Sequence, residues 1–127
     1  MKYLIDTQIL LWALEESENL SVRSKNLLLD SSNVLYVSIA SLWEIAIKLS
    51  INKLELRQSL AQIVQVLPQM DISVLPTIPT HVLAVESLPL IHRDPFDRII
   101  IAQSIAENID VISSDGVFGQ YPVTVHW

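Results

Sequence analysis

Lys2-Tyr3-Leu4-Ile5-Asp6-Thr7, an apolar run of strand length closed by a carboxylate, constrains this chain more than any other stretch. A short run without polar alternation fits a strand covered on both faces, which is the habit of parallel sheets. In such a sheet, ligands bind beyond the carboxyl ends of the central strands, and Asp6 sits there. What matters for the remaining acids is which of them reach the same edge.

A helical stretch covers Thr7 to about Leu14, with Ile9, Leu10, Leu11, Trp12 and Leu14 apolar, and Glu15 to Asn19 is a loop. Ser21 reads as an N-cap for a helix to about Leu29, since its hydroxyl can accept from a free amide of the first turn. Val34 to Val37 is a second buried strand, and Ser38 caps an apolar helix from Ile39 to Leu49 that carries Glu44. After the polar link Ser50 to Gln58, a helix from Ser59 to about Leu67 ends at Pro68, and Ile72 to Leu75 is a third strand. Pro76 and Pro79 bracket a turn into a helix over Thr80 to Ser87. Beyond the loop Pro89 to Arg93, Asp94-Pro95 opens the most apolar helix, through Ile99, Ile100, Ile101, Ala102, Ile105 and Ala106. Asp110 to Ser113 is a fourth strand running into Ser114-Asp115, and Val123 to Trp127 is a candidate fifth. Strands and helices alternating in this way predict an α/β protein with a mostly parallel, doubly wound central sheet. At 127 residues, with no repeat and no low-complexity tract, one domain over 1–127 is expected.

Half of the residues are hydrophobic, 17% are charged and mean hydropathy is +0.40, which excludes disorder and predicts apolar surface for a partner. Leu11, Trp12, Leu14, the helix Leu60 to Leu67 and Trp127 are candidates for that surface, with burial in the core as the plain alternative. No apolar run approaches the roughly 20 residues of a membrane span. No basic segment precedes a signal-like core, so a cytoplasmic protein is expected. The absence of cysteine removes disulfides, thiolate nucleophiles and cysteine zinc sites. A net charge of −6 argues against nucleic-acid binding by a basic patch. Four carboxylates gathered in one site would account for most of that charge, and bound cations would offset them.

Only two glycines are present, Gly116 and Gly119, so neither a dinucleotide fingerprint nor a P-loop can be written. No G-x-S-x-G elbow exists, and His81, His92 and His126 form no H-E-x-x-H pattern. His92-Arg93-Asp94 imitates a kinase catalytic tripeptide in a chain with no glycine loop to serve it. Carboxylates remain: Asp6 ends the first strand, and Glu44 lies about a turn and a half past Ser38. Asp97 falls in the first turn of the last long helix, and Asp115 follows the fourth strand. Strand ends and helix starts share one edge of a parallel sheet, so the four can converge. Acids gathered in an apolar setting raise one another's pKa and are costly unless a hard divalent cation, Mg²⁺ or Mn²⁺, joins them. Each has a plain alternative: Asp6 or Asp94 as a helix cap, Glu44 in an i, i+4 pair with Lys48, Asp97 as an ordinary first-turn acid, Asp115 as a turn residue. Glu44 carries the most weight, because Trp43, Ile45 and Ile47 surround it.

Ile5-Asp6-Thr7, Ser38-x-x-Ser41-Leu42-Trp43-Glu44-Ile45, His92-Arg93-Asp94-Pro95-Phe96-Asp97-Arg98, and Ile112-Ser113-Ser114-Asp115 with Phe118 and Tyr121 behind follow one another in order. Over essentially the whole chain they resemble a PIN domain of the VapC toxin type. The resemblance implies a three-layer α/β/α fold and a Mg²⁺- or Mn²⁺-dependent endoribonuclease leaving 5′-phosphate and 3′-hydroxyl ends. It also implies a homodimer and inhibition by a cognate VapB-like antitoxin. Asp6, Glu44 and Asp97 match the three core acids, Asp115 the fourth and more variable one, and Asp94 the signature of this branch. Thr7 and Ser113 are implied as hydroxyls supporting those acids. Gln8 departs from the pattern, standing where His is frequent, and touches no implied ligand. For substrate phosphates, Arg93 and Arg98 are the sequence-close cations and Lys48 and Lys53 the next, with an i, i+4 pair to Asp94 as the alternative for Arg98.

Other classes fare worse. A receiver module wants an acid after the third strand and a late lysine, and no lysine lies beyond Lys53. A D-x-D-x-T phosphatase fails at Gln8. Within the same fold, a nuclease acting on DNA and a catalytically inactive binding domain both stay open.

Overall fold

The computed structural model describes residues Met1–Trp127. Its elements run β1 (Lys2–Ile5), α1 (Thr7–Leu14), α2 (Val22–Leu29), β2 (Val34–Ser38), α3 (Ile39–Ser50), α4 (Leu60–Val66), β3 (Ile72–Leu75), α5 (Pro79–Ser87), α6 (Pro95–Glu107), β4 (Asp110–Ile112) and β5 (Val125–His126). The five strands form one sheet in the order β3-β2-β1-β4-β5, and every pairing is parallel. The chain steps outward from β1 to β2 and β3, then returns to lay β4 on the free side of β1. Connections therefore leave β1 and β4 in opposite directions, which opens a crevice at their carboxyl ends. Asp6 follows β1 and Ser113-Ser114-Asp115 follows β4, so both arrive at that crevice.

Side-chain alternation along the strands builds two cores. Tyr3, Ile5, Leu35, Val37, Ile72 and Ile112 face one layer with Ile9, Leu10, Leu42, Ile45, Ile63 and Leu67. Leu4, Val111 and Tyr36 face the other, with Ile100, Ile101, Phe118 and Tyr121. The result is the expected three-layer α/β/α arrangement. Each fully buried Leu or Ile contributes about 1.5–3 kcal/mol, and β1 supplies residues to both layers. No helix is long and apolar enough to cross a membrane.

Three local details differ from the sequence reading. Pro68 does not stop the chain from coiling: Leu67–Met70 continues as a 3₁₀ turn, where the proline falls in the first turn and its missing N–H costs nothing. The helix after Pro76 starts at Pro79 rather than Thr80, and the last strand shrinks to two residues. The apolar surplus also lies elsewhere. Leu11, Ile63 and Leu67 are core, whereas Trp43, Val82, Leu83 and Leu90 are exposed. Of the expected set, Val64 and Trp127 are exposed, the Trp127 ring tilted against Trp12 at 5.9 Å.

Candidate active site

Asp6 is held at the crevice by both of its carboxylate oxygens. The backbone turns out of β1 with the Asp6 amide still donating to Ile112 of β4 at 3.1 Å. Its Oδ1 caps α1 by accepting from the Ile9 amide at 2.7 Å, and its Oδ2 accepts from the Ser113 hydroxyl. The capping alternative for Asp6 is thus realised, and it aims the carboxylate rather than consuming it. One oxygen is on the helix; the other faces β4. Burial pushes the Asp6 carboxyl up to about 6, with the charges of Asp115 and Glu44 adding to the rise and the Ser113 and Ile9 hydrogen bonds opposing it.

Glu44 reaches the same place from α3. Ser38 starts that helix by accepting from the Ala40 amide at 3.0 Å, which sets Ser41, Glu44 and Lys48 on one face. The Thr7 hydroxyl donates to Glu44 Oε1 at 2.7 Å and lies 2.9 Å from the Ser41 hydroxyl. Lys48 Nζ sits 2.7 Å from Glu44 Oε2, so the i, i+4 pair also exists. Glu44 is buried, and Trp43 beside it is 64% exposed, its ring edge-on to Phe96 at 5.3 Å.

Asp97 comes from the first turn of α6. Asp94 is the N-cap there, accepting from the amides of Phe96 at 2.9 Å and Asp97 at 3.2 Å, with Pro95 at the position where a missing N–H is harmless. The His92 ring nitrogen Nε2 lies 3.2 Å from Asp97 Oδ2. Desolvation pushes the Asp97 carboxyl up to about 6, reinforced by the charges of Asp94 and Glu44 and opposed by His92. Asp115 closes the fourth wall: its amide donates to the Ser113 hydroxyl at 3.0 Å, and its Oδ1 accepts from the Val117 amide at 3.0 Å.

Asp6, Glu44, Asp97 and Asp115 line one cleft of about 560 Å³ together with Thr7, Asp94, Ser114, Lys48 and Lys53. Two observations about cation binding pull in different directions. No three His, Asp or Glu side chains close around a point tightly enough to hold a bare ion. Yet Asp6 feels Asp115 and Glu44, and Asp97 feels Asp94 and Glu44, so the acids stand within electrostatic reach of one another. The second observation weighs more, because Mg²⁺ keeps several waters and takes only one or two carboxylates directly. An all-oxygen donor set spaced across a polar cleft fits such a hydrated ion.

The two arginines do not join this cleft. Arg98 turns inward, and its guanidinium donates to the Pro89 carbonyl at 2.9 Å and the Tyr121 hydroxyl at 3.0 Å, with the His92 and Val85 carbonyls at 3.4 Å. It forms no ion pair with Asp94, and a buried guanidinium fixed in this way is not placed to meet substrate phosphates. Arg93 is exposed but lines the neighbouring apolar hollow with Ile39, Trp43, Val82 and Phe96. The cations in the cleft are Lys48 and Lys53. His92 and Tyr121, at hydrogen-bonding distance across 29 residues of sequence, have no signal in spacing that would have joined them to Asp97.

Comparison with known proteins agrees with this architecture. Among the solved structures that share the fold are VapBC2 from Rickettsia felis bound to a DNA fragment from their promoter, and VapBC-1 from nontypeable Haemophilus influenzae. The first aligns with a TM-score of 0.75 and 16% identity, covering 99% of this chain and 98% of that one. The second has a TM-score of 0.64 and 16% identity, covering 99% and 97%. Among curated proteins, none matches by sequence. The sequence pattern of the PIN domain matches residues 3–123, nearly the whole length, and the chain belongs to the PIN domain family.

Proposed function

We propose that this chain is a Mg²⁺- or Mn²⁺-dependent endoribonuclease and the toxin half of a toxin–antitoxin pair. Membership of a family whose domains are in general nucleases that use divalent metal ions supports the first part. The observation that carries it is the meeting of Asp6, Glu44, Asp97 and Asp115 on one cleft at the switch between β1 and β4. Those four side chains would hold the ion, which when bound supplies an activated water and charge neutralisation at the scissile phosphate. Thr7 holds Glu44, and Ser113 holds Asp6, in orientations facing the cleft. Lys53, and Lys48 once a cation replaces its ammonium on Glu44, would be the cations of the cleft that meet substrate phosphates. Hydrolysis would join the water oxygen to phosphorus and break the P–O3′ bond, leaving a 5′-phosphate and a 3′-hydroxyl.

The two structural neighbours are complexes of the VapBC type, which supports a VapB-like antitoxin as partner. Exposed Trp43 and Val82, which line one apolar hollow, support a surface covered by a second copy and hence a homodimer. Cleavage assays on RNA and on single-stranded DNA, each with Mg²⁺ or with EDTA, test the activity. Wild type should cut RNA only with metal, and Asp6→Asn and Asp97→Asn should lose at least about 100-fold while keeping the wild-type circular dichroism spectrum. A folded variant that cuts at the wild-type rate, or cutting that persists in EDTA, would remove these acids from the chemistry.

A further inference from the structure

The structure assigns His92 as the positioning residue for Asp97, with its tautomer fixed by Tyr121. The Tyr121 hydroxyl oxygen receives two N–H donors, the His92 backbone amide at 3.2 Å and the Arg98 guanidinium at 3.0 Å. Both of its acceptor positions are then filled, and the hydroxyl can contribute only its own proton. The ring nitrogen Nδ1 of His92 lies 2.7 Å away and is the acceptor for it. Neutral His92 must therefore carry its proton on Nε2, and Nε2 is the atom 3.2 Å from Asp97 Oδ2. Arg98, Tyr121, His92 and Asp97 form a chain of donors, each fixing the direction of the next, that starts at a buried guanidinium and ends at a carboxylate of the cleft. Arg98 and Tyr121 are buried, which holds the chain rigid.

Its consequence is directional. With the imidazole N–H taking one lone pair of Oδ2, Asp97 keeps its remaining lone pairs for the cleft, and its side-chain torsion is set before any cation arrives. Hydrogen-bond partners that orient a ligating carboxylate change metal affinity about 10–100-fold when removed. The functional part of this proposal rests on the metal-binding reading above, whereas the tautomer does not.

Long-range ¹H–¹⁵N spectra of the histidine rings in the metal-free protein test it directly. His92 should show a protonated Nε2 and a bare Nδ1. His81, whose Nδ1 accepts from the Ile78 amide, and His126, whose Nδ1 accepts from Arg23, provide internal references that do not touch Tyr121. Tyr121→Phe should release His92 into a tautomer mixture while leaving the other two rings unchanged, and should weaken Mn²⁺ binding about 10-fold by calorimetry. Should that variant unfold, His92→Gln, whose amide can replace Nε2 as donor, should bind Mn²⁺ within about threefold of wild type, and His92→Leu about 10-fold or more weaker. A protonated Nδ1 in the wild-type ring, or equal Mn²⁺ affinity for the Gln and Leu variants, would overturn the assignment. A chain that shows the Nε2–H tautomer and binds Mn²⁺ but cuts no RNA would support the assignment and sink only the nuclease reading.

Discussion

Thr7 and Glu44, 37 residues apart in sequence, share a buried hydrogen bond of 2.7 Å that ties the start of α1 to the middle of α3. The first helix after β1 and the helix after β2 are thereby locked at the point where Asp6, the cap of α1, and Glu44 of α3 face the cleft. Thr7→Val keeps the shape and removes the donor. It should lower stability by about 1–3 kcal/mol, because the Glu44 carboxylate and the Ser41 hydroxyl lose a buried partner. Mn²⁺ affinity should fall about 10-fold, with calorimetry and chemical denaturation as the two readouts.

Ser113 acts on Asp6 in the same way from β4. Its hydroxyl is among the groups that hold the Asp6 carboxyl down against burial. Ser113→Ala should move the onset of Mg²⁺ binding to higher pH, since less of Asp6 is ionised at any given pH. A titration of affinity against pH, compared with wild type, would show the displacement.

Stability of the metal-free protein should fall as pH rises from about 4 to 7. Asp6 and Asp97 both have folded-state pKa values raised to about 6 from 3.8, so between these values the folded chain binds more protons than the unfolded one. For the buried Asp6 the loss is on the order of 3 kcal/mol across that window. Mg²⁺ should reverse the trend above pH 6, where it stabilises by mass action, and do little below pH 5, where protons compete for the same oxygens. Thermal melts with EDTA or with excess Mg²⁺ across pH 4–8 measure both halves.

Arg98 and Arg93 should behave oppositely. Arg98→Lys replaces a planar fork that reaches Pro89 and Tyr121 at once with a single ammonium, and should cost about 2–3 kcal/mol in urea unfolding. Arg93→Ala, at an exposed position, should unfold with the wild-type midpoint.

Much of this was readable in the sequence because local and global signals agree. Ser21, Ser38, Ser59 and Asp94 each precede an apolar periodic stretch, and each caps a helix. The strands are short, β-branched and unalternated, as a sheet covered on both faces requires. Direction around a helix is where the reading failed. Asp97 and Arg98 are neighbours, about 100° apart on α6, and the consecutive apolar residues Ile99, Ile100 and Ile101 do not say which face meets the sheet. Asp97 turns to the cleft and Arg98 to the interior. Trp43 and Glu44 on α3 part in the same manner, leaving the tryptophan outside. Partnerships such as Thr7 with Glu44, or His92 with Tyr121, depend on strand order, which periodicity does not encode.

Anomalous diffraction from crystals grown with Mn²⁺ tests the central claim most directly. A peak in the cleft between Asp6 and Asp97, with at least one carboxylate oxygen in direct coordination and loss of the peak in Asp6→Asn, is the predicted result. No peak in the cleft at millimolar Mn²⁺, or a wild-type peak in the Asp6→Asn crystal, would contradict it.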